Sequence, residues 1–101
     1  FPGGHLPSVS KILEVTTKNT KLNLLHMKEY SEHYAKTLNI WHTNFNNRLK
    51  EVKDLGFDEY FIRMWEVYLC YCEAAFLTRN INLVQLSFTR YENMALNKGL
   101  V

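Results

Sequence analysis

Residues 57–76 read Phe57-Asp58-Glu59-Tyr60-Phe61-Ile62-Arg63-Met64-Trp65-Glu66-Val67-Tyr68-Leu69-Cys70-Tyr71-Cys72-Glu73-Ala74-Ala75-Phe76. Phe61, Met64, Trp65, Tyr68, Leu69, Cys72, Ala75 and Phe76 recur at the i, i+3, i+4, i+7 spacing of a core-facing helix. Asp58, Arg63, Glu66, Cys70 and Glu73 fall on the opposite face. Asp58 is placed to cap the start, and Asp58 and Glu59 lie where the helix dipole favours negative charge. Arg79 sits where a cation is favoured, and Asn80 reads as a stop. The helix predicted over 58–79 is about 22 residues, hence roughly 33 Å long. Bare in water, a helix so rich in aromatic side chains is unstable, so the rest of the chain must cover it.

Immediately before it lies a second amphipathic stripe. Tyr34, Leu38, Trp41, Phe45, Leu49 and Val52 step by four, three, four, four and three, which predicts a helix over 31–55. Ser31 is its candidate cap, and Gly56 is placed to stop it in the left-handed conformation. The short join at Gly56 and Phe57 predicts an antiparallel αα-hairpin. Outside the hairpin, Pro-Gly-Gly chemistry makes residues 1–7 a loop, and Ser8 caps a short helix over 8–18. Apolar–polar alternation marks strands over 21–27 and 83–91, with Val84, Leu86 and Phe88 on one face of the second. Residues 93–101 read as a polar tail. An isolated pair of strands is marginal, which predicts that these two belong to a larger sheet.

The 101 residues make at most one domain, with 47% apolar and 14% aromatic residues, a composition that excludes disorder. A net charge of +2, with Lys and Arg spread from Lys11 to Lys98, argues against a nucleic-acid partner. Cys70 and Cys72 stand two apart on a predicted helix, so they face different ways and do not pair; a reduced, cytoplasmic compartment follows. His5, His26, His33 and His42 form no metal-ligand spacing. No apolar run of about 20 residues is present to span a membrane. The chain begins Phe1-Pro2-Gly3-Gly4 without Met, which predicts a piece of a longer protein.

Phe1-Pro2-Gly3-Gly4-His5-Leu6-Pro7-Ser8, His33-Tyr34-Ala35-Lys36-Thr37-Leu38-Asn39-Ile40-Trp41, the end of the aromatic helix at Cys72-Glu73-Ala74-Ala75-Phe76, and Gln85, Phe88 and Arg90 occur in consistent order. Together they resemble the C-terminal part of cyclopropane-fatty-acyl-phospholipid synthases, from Phe1 to about Arg90. The resemblance implies an α/β fold: the C-terminal portion of a class I, Rossmann-like methyltransferase, mostly helical with a long αα-hairpin and two strands. It implies transfer of a methylene from S-adenosylmethionine to the cis double bond of an unsaturated phospholipid acyl chain, at the inner face of the membrane. Methylating an alkene creates carbocation character, which electron-rich aromatic faces stabilise. Removing the proton is a role the family gives to a bound bicarbonate ion.

By that resemblance Tyr34 matches the tyrosine whose hydroxyl helps hold the bicarbonate; the plainer reading is a core tyrosine bonded locally. Cys72 matches a cysteine of the aromatic helix, either near the lipid site or a small apolar core residue. Trp41, Trp65, Tyr68 and Phe76 are core residues or the lining of an acyl pocket. The family's glycine-rich cofactor loop is absent, since the glycines are Gly3, Gly4, Gly56 and Gly99. The chain alone is therefore expected neither to bind S-adenosylmethionine nor to catalyse. The alternative reading is a freestanding helical-hairpin interaction module. Either way, exposed strand edges or apolar surface predict a homodimer.

Overall fold

A computed structural model describes residues 3–94 of the chain, in the order α1 (Val9–Asn19), β1 (Leu22–Glu29), α2 (Ser31–Asn46), α3 (Leu49–Asp54), α4 (Glu59–Leu77) and β2 (Val84–Arg90). The expected loop at 1–7 begins, and the expected tail at 93–101 ends, outside those residues. The described chain is mostly helical with one two-stranded sheet. It divides into two compact units, Phe1–Lys28 with Leu86–Val101, and Glu29–Gln85.

In the first unit, the Ser8 hydroxyl caps α1 by accepting from Lys11 N at 3.0 Å. Glu14 and Lys18 pair across one helical turn at 3.0 Å. None of the α1 residues is buried. β1 and β2, whose residues are divided between the two units, run antiparallel, since Tyr91 N donates to Lys21 O at one end of the ribbon and Tyr30 N to Leu83 O at the other. Val84, Leu86 and Phe88 are half-buried while Gln85 and Ser87 between them are exposed, the alternation of a one-sided strand.

The second unit is the helical hairpin. Where the apolar stripe predicts one helix over 31–55, the structure has two, broken at Asn47 and Arg48. Arg48 N donates to Phe45 O at 3.1 Å, three residues back rather than four, and Arg48 leaves helical geometry at φ −124°, ψ 25°. Asn44, Asn46 and Asn47 crowd this point, and asparagine competes with the backbone for its own hydrogen bonds. Gly56 ends α3 at φ 98°, a left-handed conformation that glycine adopts without a Cβ clash.

Ser31 does not cap α2. The N-cap is Tyr30, and the Glu29 carboxylate accepts from Ser31 N at 3.0 Å. The fully buried Ser31 hydroxyl instead bonds the Asn82 side chain at 2.9 Å and accepts from Leu83 N at 3.3 Å. Asp58 caps α4 as its position predicts, accepting from Phe61 N at 2.9 Å. At the other end the chain turns at Arg79 rather than Asn80. Arg79 is left-handed, at φ 58°. Arg79 N bonds Phe76 O at 3.2 Å and Asn80 N bonds Ala75 O at 2.9 Å, a Schellman closure with arginine where glycine is usual.

Side-chain bonds hold Arg79 in place, to Glu29 at 2.6 Å and Glu32 at 3.5 Å. The Arg79 guanidinium, and then Ser31, hold the Glu29 carboxyl well below its ordinary 4.5, at about 2. A depressed carboxyl stabilises the fold fully above its unfolded value and loses that contribution as pH falls through its folded value. The difference in urea midpoint between the chain and its Glu29→Gln variant is therefore expected to be full at neutral pH. It should shrink between pH 4.5 and about 2; a difference that stays constant across that window contradicts the coupling.

α2 and α4 are antiparallel: Tyr34 meets Phe76, Asn39 meets Glu73, and His42 meets Cys70 and Glu66. The buried apolar side chains are Ala35 and Leu38 on α2, and Ile62, Leu69 and Ala75 on α4. This differs from the face expected for α4. Ile62 is buried, Met64 is 50% exposed, and Glu66, Cys70 and Glu73, assigned to the outer face, contact α2.

Candidate functional site

The residues singled out in the sequence converge on the hairpin. Tyr34 sits one turn inside α2, and Trp41 follows seven residues on, two turns along the same face, with ring centroids 6.1 Å apart. Phe76, in the last turn of α4, closes on the Tyr34 ring at 4.6 Å. Along α4 a second aromatic row forms at helical spacing. Phe57 stacks on Phe61 at 4.1 Å, Phe61 leads to Trp65 at 6.1 Å, and Trp65 meets Tyr68 edge-on at 5.3 Å.

Tyr68 links the two rows. Desolvation raises its phenol pKa, and the Cys72 thiol one turn on, with the Tyr34 hydroxyl nearby, pushes in the same direction. Tyr34, Tyr68, Cys72 and Phe76 thus share one neighbourhood, flanked by Trp41 and Trp65. It is neither sealed core nor open surface. Tyr34, Trp65, Cys72 and Phe76 are half-buried, while Trp41 is 48% and Tyr68 39% exposed. Such a wall presents π faces, two phenol hydroxyls and one thiol, and it suits an apolar ligand that passes a developing positive charge.

The Tyr34 ring is held between Trp41 and Phe76, and its phenol is close enough to Tyr68 to act on that group. The segment builds no cofactor cradle from Gly3 or Gly56: a Cβ on either meets nothing within 4 Å. An open groove of about 750 Å³ lies elsewhere, beside Phe45, Arg48, Glu51, Val52 and Leu55, and includes none of the residues singled out. No helix among the described residues is long and apolar enough to cross a membrane.

Sequence reasoning missed one cluster. Cys70 Sγ lies 3.7 Å from His42 Nδ1, and His42 Nε2 lies 3.6 Å from Glu66 Oε1. The i, i+4 spacing of Glu66 and Cys70 was a signal for it, but His42 joins them only through the antiparallel register.

Comparison with known proteins follows the same residues. The family profile described as mycolic acid cyclopropane synthetase matches residues 1–86. The chain is 41% identical over 90 residues to the tuberculostearic acid methyltransferase UfaA1 of Mycobacterium tuberculosis, covering 89% of this chain and 21% of that protein. It is 34% identical over 90 residues to the cyclopropane-fatty-acyl-phospholipid synthase of Escherichia coli K12, covering 89% of this chain and 23% of the relative. Against the protein of the same name from Citrobacter freundii it is 34% identical over 82 residues, covering 81% of this chain and 89% of the relative. The chain spans about a fifth of the length of the first two.

Proposed function

The chain belongs to the mycolic acid cyclopropane synthetase family, and on that premise we propose that it forms the acyl-side wall of an S-adenosylmethionine-dependent methyltransferase acting on unsaturated phospholipid acyl chains. The carrying observation is the convergence of Tyr34, Trp41, Trp65, Tyr68, Cys72 and Phe76 on one side of the hairpin. In this reading the segment completes a Rossmann-like domain, at the cytoplasmic face of a membrane, whose remaining parts bind the cofactor.

The cofactor supplies the electrophilic methyl. This segment's residues do the rest of what falls to them. Trp41, Trp65 and Phe76 line the acyl chain and exclude water, and their π faces favour the positive charge that develops on the alkene. Tyr34 Oη would hold the bicarbonate through a donated hydrogen bond, and that anion would supply the base for proton removal. Cys72 and Tyr68 pack behind that hydroxyl.

The test is a transplant. Residues 1–90 of this chain replace the aligned segment of the Escherichia coli synthase, and the chimera is given vesicles of unsaturated phospholipid with methyl-labelled S-adenosylmethionine. Labelled methylated or cyclopropanated acyl chains are the expected product. A chimera that binds S-adenosylmethionine normally yet labels no lipid would show that this wall does not serve acyl chemistry.

A further inference from the structure

Short connections between helices are ordinarily polar, because they run over the surface and meet water. The turn between α3 and α4 is different. Leu55 is 76% exposed, Phe57 44%, and Tyr60 in the first turn of α4 72%. Phe57 is also the first member of an aromatic row: it stacks on Phe61 at 4.1 Å, Phe61 leads to Trp65, and Trp65 to Tyr68. From Phe61 to Tyr68 the row follows two turns of α4, about 10 Å, and it ends at the neighbourhood of Tyr34 and Cys72. It is thus continuous from the exposed tip of the hairpin to the acyl wall. The groove of about 750 Å³ opens at the same tip and sets Phe45, Val52 and Leu55 beside Asn44, Asn47 and Arg48, apolar and polar groups on one lining. Charge at the tip is balanced, with Arg48, Lys50, Lys53 and Arg63 matched by Glu51, Asp54, Asp58 and Glu59. Glu59 pairs with Lys53 at 3.0 Å, Glu51 with Arg48 at 3.8 Å, and Asp58 caps α4.

We propose that the tip at Leu55, Phe57 and Tyr60 is a seat on a phospholipid bilayer, and that the Phe57–Phe61–Trp65–Tyr68 row leads a lipid's acyl chain from that surface to the wall. Leu55 and Phe57 enter the boundary between headgroups and hydrocarbon. Tyr60 sits at headgroup level, where an amphipathic ring is favoured, and the long side chains of Lys50 and Arg63 extend to the phosphates. A tip with balanced charge neither needs nor repels an anionic surface, so zwitterionic lipid suffices. A partner protein or a second copy could cover the same apolar side chains, but neither has a use for an aromatic row that runs from them to an acyl site. The destination of the row rests on the acyl-wall reading; the seat is measured without it.

The full chain is mixed with vesicles of dioleoyl-phosphatidylcholine, and binding is read by flotation and by amide hydrogen exchange. Vesicles should slow exchange around Leu55, Phe57 and Tyr60 and leave the end of α4 around Leu77 unchanged. Leu55→Gln combined with Tyr60→Gln should weaken vesicle binding roughly tenfold. Leu77→Gln, 60% exposed at the other end of the same helix, should bind as the parent does. A parent chain that does not float, a double variant that floats like the parent, or an equal loss in Leu77→Gln overturns the seat. So does slowed exchange at the tip that follows protein concentration without vesicles, which marks a surface between copies. If the double variant loses helical circular dichroism, the exchange pattern of the parent decides. In the synthase chimera the double variant should label vesicle lipid more slowly, yet label detergent-dispersed lipid at the parental rate; equal slowing on both overturns the seat. A parental chimera that labels neither, while the chain still binds vesicles through the tip, overturns the acyl wall and the row's destination but supports the seat.

Discussion

Leu69→Ala is expected to abolish cooperative unfolding of the helical hairpin at room temperature. Leu69 is 5% exposed and one of five buried apolar side chains with Ala35, Leu38, Ile62 and Ala75, a small set in which two members are already alanines. Truncating a buried leucine removes transfer free energy and leaves a cavity, together about 3 kcal/mol. A core this limited has little excess stability to absorb such a loss. The measurement is urea unfolding followed by circular dichroism and tryptophan fluorescence. Val67→Ala is the control, since Val67 is on the same helix but 68% exposed, and its change should stay within about 0.5 kcal/mol. Equal effects at the two positions would mean that α4 does not pack through Leu69.

Tyr34→Phe, introduced into the synthase chimera, is expected to lower kcat about 100-fold with KM nearly unchanged, the effect of removing one oriented donor from a charge-handling site. The ring is retained, so its contacts with Phe76 at 4.6 Å and Trp41 at 6.1 Å persist and the fold should be undisturbed. Thermal unfolding of the chimera measures that directly. A kcat equal to the parent's would leave Tyr34 as a packing residue. A fall in kcat accompanied by a lower unfolding temperature would assign the effect to packing too.

Legibility of this fold tracks how local each cause is. Asp58, Ser8 and Gly56 were readable because a cap or a left-handed stop depends only on a few neighbouring residues. The break at Asn47 and Arg48 was hidden because Phe45, Leu49 and Val52 carry the apolar period straight through it. Periodicity reports which residues share a face, and is silent on whether every backbone bond along that face is made. The orientation of α4 was obscured for a different reason. Tyr60, Met64, Val67 and Tyr71 are all exposed, so the helix is apolar on more than one side and its pattern fixes no unique buried face.

The aromatic wall was partly legible. Tyr34 with Trp41, Phe61 with Trp65, and Trp65 with Tyr68 follow from spacing along single helices. The contacts from Tyr34 to Phe76 and from His42 to Cys70 depend on how far one helix slides along the other. That register comes from packing, and no single-helix pattern contains it.

The junction at Ser31 also bears on the order in which the chain folds. Ser31 bonds Asn82 and Leu83, residues 51 and 52 positions away, while His42 and Cys70 within the hairpin are 28 apart. Contacts closing shorter loops lose less chain entropy, and helical turns form sooner still. The hairpin is thus favoured to assemble first, and in doing so it brings Glu29 and Ser31 to the far end of the same excursion. Only then do β1 and β2 have partners within reach, so the ribbon acquires its hydrogen bonds last. Because the excursion leaves and returns at one point, it has the form of a cassette, movable between hosts whose strands offer the same closely spaced pair of ends.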